Sequence, residues 1–200
     1  MRIVLASGSP RRRALLAALG IEFEVMPSNA PEIDEGDDPT GIVVANARRK
    51  RDDVQVRLET PALVIAADTL VFLNGHVLSK PVDLEDARAM LRRLSGRTHQ
   101  VITGLAITAF NGNTNEGYEC TDVTFQELTE QEIGHFLHAV KPLDRAGAYT
   151  VDGPGTLLVA RYNGCYQNVL GLPIVRLNAL LKQQGIDLFD LMDGPRAIFL

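Results

Sequence analysis

Residues 62–73 read ALVIAADTLVFL, an apolar run that one charged side chain, Asp68, interrupts. Asn74-Gly75 follows directly, then HVLSK, then Pro81. The pattern predicts a long β-strand turned into a short return strand, because Asn-Gly accepts the positive φ angles of a two-residue hairpin. Proline ends the return strand by removing a backbone donor. A carboxylate taken out of water is costly unless it is paired or coordinates a metal. Asp68 is therefore a candidate catalytic group. The bland alternative is a carboxylate at a bulge, satisfied by nearby N–H groups.

Around this hairpin the pattern alternates strands and helices. Residues 2–6 read as a buried strand, and a helix over about 10–19 is closed by Gly20. IEFEV at 21–25 alternates apolar and acidic residues like a half-exposed strand. A loop rich in proline, glycine and acids precedes Asp38-Pro39, which open a helix to about residue 58 with Val43, Val44 and Ala47 on its apolar side. Asp83 caps a helix bearing Ala87, Met90, Leu91 and Leu94. Residues 98–110 and 117–126 form a second hairpin, and Thr129 with Glu132 matches a capping box. A strand near 156–162 and a helix from Pro173 complete the order. No repeat or linker divides the chain, so the expectation is a single domain over residues 1–200, built on a mixed α/β sheet.

The formal net charge of −5 argues against a surface built for nucleic acid. No segment approaches bilayer-spanning length, and no charged n-region precedes a long apolar stretch. A cytoplasmic protein without membrane or nucleic-acid partners is expected, with Cys120 and Cys165 as reduced thiols. The segment 183–200 reads as a short docking helix with a tail, a candidate homodimer interface.

Against that acidic balance, LASGSPRRRALL at 5–16 concentrates arginines where a helix begins. Cations oppose the partial positive charge of a helix N-terminus. The conflict disappears if a multiply charged anion sits there, bound by free N–H groups, by Ser7 and Ser9, and by guanidinium forks. Successive helical residues point about 100° apart, so the three arginines do not share one phosphate. Arg11 and Arg12 are the candidates, with Arg13 solvated or paired. Equally, all three read as solvent-facing residues after a good cap.

Lys80 follows the return strand, which the hairpin carries back towards Asp68. Lys50 lies in the ARRKR helix segment, where a solvated face is the competing reading. Glu32, Asp34, Glu35, Asp37 and Asp38 form an acidic loop that offers oxygen ligands to Mg²⁺ or Mn²⁺ or simply solvated turn residues. No Walker A loop, dinucleotide fingerprint or nucleophile–histidine set is present. His135 and His138 lack a third ligand and read as surface residues.

In order along the chain, LASGSPRRRALLAALG, the IDE of 33–35, ANARRK, AADTLV, LSKP, LRRLSGRTHQVITGLAI, KPLDRAGAY and NVLGLP resemble the Maf family of nucleotide pyrophosphatases, the septum formation proteins. The resemblance extends to about residue 185. It implies a sheet flanked by helices, similar to inosine triphosphate pyrophosphatases, with two lobes and a central cleft. It also implies a hydrolase acting on acid anhydrides, which cleaves a nucleoside triphosphate to the monophosphate and pyrophosphate with Mg²⁺ or Mn²⁺. On that basis Ser7, Ser9, Arg11 and Arg12 hold phosphates, and Thr69 lies beside the reaction. Glu35, Lys50 and Lys80 line the reaction centre, Asp68 activates water, and Glu35 and Asp68 bind metal. The ADT form resembles the branch acting on dTTP and UTP. That branch usually carries glutamine where this chain has Asp152, within GAYTVDGPG. An ionised aspartate only accepts hydrogen bonds, which suits an amino-bearing base or a ring N–H. A different class of function is a nucleotide-binding regulator of division with weakened catalysis, which retention of Asp68, Lys80 and Glu35 opposes.

Overall fold

The computed structural model describes residues 2–34 and 36–198. The long apolar run forms β3 (Leu63–Leu73), and Asn74 and Gly75, both at positive φ, turn it into β4 (His76–Leu78) as expected. Two further strands precede them: β1 (Ile3–Leu5) and β2 (Glu24–Val25). The second hairpin forms β5 (Thr98–Thr108) and β6 (Thr114–Phe125), and β7 (Val159–Asn163) completes a seven-stranded sheet. The order is β2-β1-β3-β5-β6-β7, with β1 parallel to both of its neighbours and the remaining pairs antiparallel.

The register of β3 creates an opening in the sheet. One edge pairs with β5 from Val64 to Phe72. The other pairs with β1 only over 63–65 and with β4 only over 71–73. Residues 66–70 therefore have a strand partner on one side alone, and the sheet splits there into two lobes. Odd-numbered β3 side chains enter two apolar clusters, Leu63, Ile65 and Ala67 in one and Val71 and Leu73 in the other. Asp68 and Thr69 sit at the division.

The helices cover both faces. On one face lie α1 (Pro10–Ala17), α3 (Leu84–Leu94) and α4 (Glu130–Val140). The short α5 (Tyr166–Val169) and α6 (Ile174–Lys182) join them there, and α7 (Leu188–Leu191) follows. The other face is covered by α2 (Pro39–Gln55), which packs against β3 and β5. Ser9, Asp38, Asp83 and Thr129 each cap the helix that the sequence assigns to them, and the Thr129–Glu132 box is complete.

Two expectations are corrected. The strand expected over 21–25 shortens to Glu24–Val25, because only those residues reach the three-residue β1, while Ile21 turns into the core. The strand expected near 156 begins at Val159, since residues 153–158 coil into a 3₁₀ turn held tightly over Thr150. On α2, Val44 is half-buried and packs on the core with Val43 as expected, and Asn46 and Arg51 add buried polar residues to the inward face. His135 and His138 are exposed, and both cysteines are free thiols. The tail after α7 docks on this chain's own α1, where Ile198 N–H donates to Ala18 O (3.1 Å) and Arg196 pairs with Glu22. No described helix is long and apolar enough to cross a membrane.

Gly104 sets the approach of α2. It lies opposite Asp68 in the β3–β5 register, and a Cβ there would overlap the backbone carbonyl of Val43 on α2. Gly104→Ala forces α2 off the sheet, an overpacking expected to cost about 1–3 kcal/mol. Urea unfolding should show a lower midpoint with the m-value unchanged. A midpoint equal to the parent's would mean that the helix does not depend on this close contact.

Candidate active site

A cavity of about 360 Å³ opens at the unpaired edge of β3. Its lining draws on the β1–α1 turn, β3, the acidic loop, α2, the β4 exit, the 144–151 loop and α5. It contains Ser7, Ser9, Arg11, Arg12, Lys50, Asp68, Thr69 and Lys80, eight residues that the sequence singled out. Their spread, from position 7 to 80, shows how completely the fold gathers them. The lining holds five cations against three carboxylates, a local excess that reverses the charge of the whole chain and favours an anion.

Arg12 is built into the floor. Its Nε donates to Gly171 O (2.8 Å), Nη1 to Ser7 Oγ (3.1 Å) and Nη2 to Thr69 Oγ1 (3.0 Å). Gly171 can come this close because it has no Cβ and adopts a φ of 100°. Thr69 Oγ1 also bonds Thr103 Oγ1 (2.9 Å), and Thr103 donates to Asn168 O (3.1 Å). The donor order therefore runs Arg12, Thr69, Thr103, Asn168. All three oxygens on Arg12 are neutral, so its charge is compensated only at a distance. Burial lowers the guanidinium pKa, and the fields of Asp68 and Glu32 partly restore it. One N–H remains on each terminal nitrogen, a fork suited to phosphate.

Ser7 is buried, and its oxygen receives both Arg12 and the Ser9 N–H, leaving its hydroxyl proton to donate. Ser9 Oγ accepts the Arg12 N–H in the α1 cap, and its hydroxyl proton is left to donate. Arg11 lines the cavity opposite the 144–151 loop. Burial lowers its pKa first, the field of Arg145 lowers it further, and Asp144 and Asp152 oppose both. Two arginines facing each other at a cleft mouth are relieved by a polyanion. Arg13 is exposed, in keeping with the solvated reading.

The carboxylate side is equally specific. Lys50 Nζ lies 2.6 Å from Asp68 Oδ1 and 2.5 Å from Glu32 Oε1. Asn46 Nδ2 donates to Asp68 Oδ2 (2.9 Å). Asp68 is thus a paired, satisfied carboxylate at an open strand edge, not at a bulge. Each of its oxygens keeps a lone pair for a further ligand. Lys80 is mostly exposed, lines the same cavity and reaches Glu32 Oε2 at 3.9 Å. Glu35 lies outside the described residues. Glu32, its neighbour in the acidic loop, is the acid that the structure brings to Lys50. Asp152 does not line the cavity. It accepts a hydrogen bond from Thr150, which does, and acts on Arg11 through its field.

The cavity wall is also firm on the apolar side. Tyr149 bonds His99 Nε2 through its hydroxyl (2.7 Å), within an edge-to-face cluster that includes Phe125. Burial pulls the His99 pKa down to about 4, so the ring is neutral at physiological pH.

Sequence reasoning did not single out Asn46 or Arg145 as site residues, and it named Glu32 only among the five acids of the loop. Asn46 carried a signal, because it precedes Lys50 by four residues and so shares its helix face. Arg145 sits in the quoted KPLDRAGAY without any periodic pattern around it.

Such a site defines a mixed α/β protein whose open strand edge presents an arginine fork beside a lysine-bridged carboxylate pair. Comparison narrows the class. The model of the Maf-like protein family matches residues 2–184, and the chain belongs to that family. Among its relatives, a dTTP/UTP pyrophosphatase of Clostridium perfringens (strain SM101 / Type A) is 43% identical over 189 residues, covering 93% of this chain and 98% of the relative. The dTTP/UTP pyrophosphatase of Caldicellulosiruptor bescii is 42% identical over 200 residues, covering 96% and 98%. Among solved structures, the Staphylococcus aureus Ham1 protein aligns with a TM-score of 0.46 and 16% identity, over 64% of this chain and 73% of that one.

Proposed function

We propose that this protein hydrolyses a nucleoside triphosphate to the nucleoside monophosphate and pyrophosphate, with dTTP, UTP or modified nucleotides as substrates. The observation that carries the reading is Arg12, a half-buried guanidinium held by three neutral oxygens beside the Lys50-bridged carboxylates Asp68 and Glu32. The identity to two enzymes that bear the dTTP/UTP pyrophosphatase name supports the substrate class.

In this reading Arg12, Ser7 and the N-terminus of α1 hold phosphoryl oxygens, and Arg11 and Arg145 close on the polyphosphate. Asp68 accepts the proton of the attacking water, while Lys50 and Lys80 offset charge that develops on the oxygens of the α-phosphoryl group. Among the described residues, no three His, Cys, Asp or Glu side chains converge. Asp68 and Glu32 supply two hard oxygen donors on one lysine, a set that fits Mg²⁺ or Mn²⁺ with water or phosphate oxygens completing the shell. When bound, the metal would neutralise phosphoryl charge. Thr150 and the Asp152 behind it place an acceptor-rich group near the mouth, which favours a base bearing an N–H. A soluble nucleotide substrate is consistent with a cytoplasmic role in clearing nucleotides or in restraining septum formation. A regulator that only binds nucleotide is disfavoured, because Asp68, Lys50, Glu32 and Lys80 are all assembled at one cavity.

Purified protein with Mg²⁺ or Mn²⁺ should release pyrophosphate as first product from at least one member of a panel of dTTP, UTP, CTP and modified nucleoside triphosphates. Orthophosphate as first product would move the attack away from the α-phosphorus and overturn the assignment.

A further inference from the structure

We infer that Asn46 is a positioning residue that fixes the two carboxylates of the site relative to each other. Its side chain is almost fully buried on α2 and makes three hydrogen bonds besides its helical backbone. Nδ2 donates to Asp68 Oδ2 (2.9 Å) and to Ile33 O (2.8 Å), and Oδ1 accepts from Ile33 N–H (2.8 Å). One amide therefore grips the main chain of the acidic loop as a neighbouring strand would, using both polar groups of a single residue. The next residue back, Glu32, carries the carboxylate on Lys50 Nζ. The same amide also holds Asp68, which lies 22 positions away from Asn46 in the chain.

Among the described residues, Asn46 is the side chain that bonds the main chain of this stretch and Asp68 at once. Lys50 attracts both carboxylates, but an ammonium is a point charge on a flexible stem and does not dictate their directions. A planar amide with three directed bonds does. Asn46 and Lys50 stand one turn apart on α2, so the helix delivers the charge and the orienting group together. The close packing of α2 at Gly104, opposite Asp68, keeps that turn within reach. Without the amide, Glu32 and Asp68 would still be drawn to Lys50, but their open lone pairs would point in a range of directions. Asn46 acts through them and need not touch the substrate.

This inference rests on the proposed hydrolysis, and its test separates the two. If a misplacement of this kind acts on the chemical step, Asn46→Ala should lower kcat by about 10- to 100-fold. KM for UTP should stay within about threefold of the parent, because the Arg12 anchor is untouched. Asn46→Asp keeps the shape and the acceptor for Ile33 N–H, loses both donated bonds and sets a second carboxylate against Asp68, so it should lower kcat at least as far. It provides the same readout if the alanine variant does not fold. In a cycle with Glu32→Gln, the losses should be non-additive. A kcat within twofold of the parent in both variants, or additive losses in the cycle, would overturn the role. A KM rise without a kcat loss would do the same, by assigning Asn46 to binding. If the parent releases no pyrophosphate from any triphosphate, the hydrolytic reading fails independently. The grip is then read by NMR amide exchange at Ile33, which should accelerate in Asn46→Ala and remain slow in Asn46→Asp. Unchanged exchange in the alanine variant would overturn it.

Discussion

Asp68→Asn should reduce kcat for pyrophosphate release by about 10²- to 10⁴-fold, the range expected when a general base is removed. Nucleotide affinity should remain close to the parent's. The substitution is nearly isosteric, and Arg12, Ser7 and the α1 terminus do not contact Asp68 directly. An asparagine has one acceptor where the carboxylate has two, and both Lys50 and Asn46 approach as donors. Its amide must therefore face one of them with a donor, so some loss of stability should accompany the loss of rate. Steady-state kinetics together with calorimetric titration of the nucleotide distinguish the two effects. A kcat within tenfold of the parent would remove Asp68 as the base.

Arg12→Ala should act on the other arm of the cycle, raising KM for the triphosphate by about 10- to 100-fold. Loss of charge-assisted hydrogen bonds of about 1.5–3 kcal/mol corresponds to that range. Arg12→Lys should recover little. The guanidinium spans Gly171 O, Ser7 Oγ and Thr69 Oγ1 from one plane, and an ammonium cannot reproduce those three directions together with a phosphate fork. Recovery of the parent KM by lysine would show that charge alone matters at this position. Unchanged kinetics in Arg12→Ala would return the residue to a purely structural role, linking α1 to the Gly171 loop.

Much of the frame was legible because local chemistry decides it. Asn74-Gly75 demands a hairpin whatever surrounds it, and Ser9, Asp38, Asp83 and Thr129 satisfy helix donors within three residues of themselves. Asp68 was visible as a charge where the pattern required an apolar side chain. The arginines were visible as cations at the wrong end of a helix. The weak β2 and the late start of β7 were not, since β2 depends on the length of β1 beside it and β7 on the 3₁₀ turn that packs over Thr150 before it.

The chemistry of the site divides in the same way. Residue type and order alone determined that a carboxylate, a phosphate-type helix entrance and nearby lysines exist in this protein. Only the tertiary structure decided which acid meets Lys50, which oxygens orient Arg12 and that Asn46 joins loop to strand. The reason is physical. A cap or a turn closes within a few residues, whereas Arg12 meets Gly171 across 159 positions and Thr69 across 57. Those meetings depend on an unpaired stretch of β3, on a glycine thin enough to admit α2 and on another thin enough to face a guanidinium. None of these has a period in the sequence.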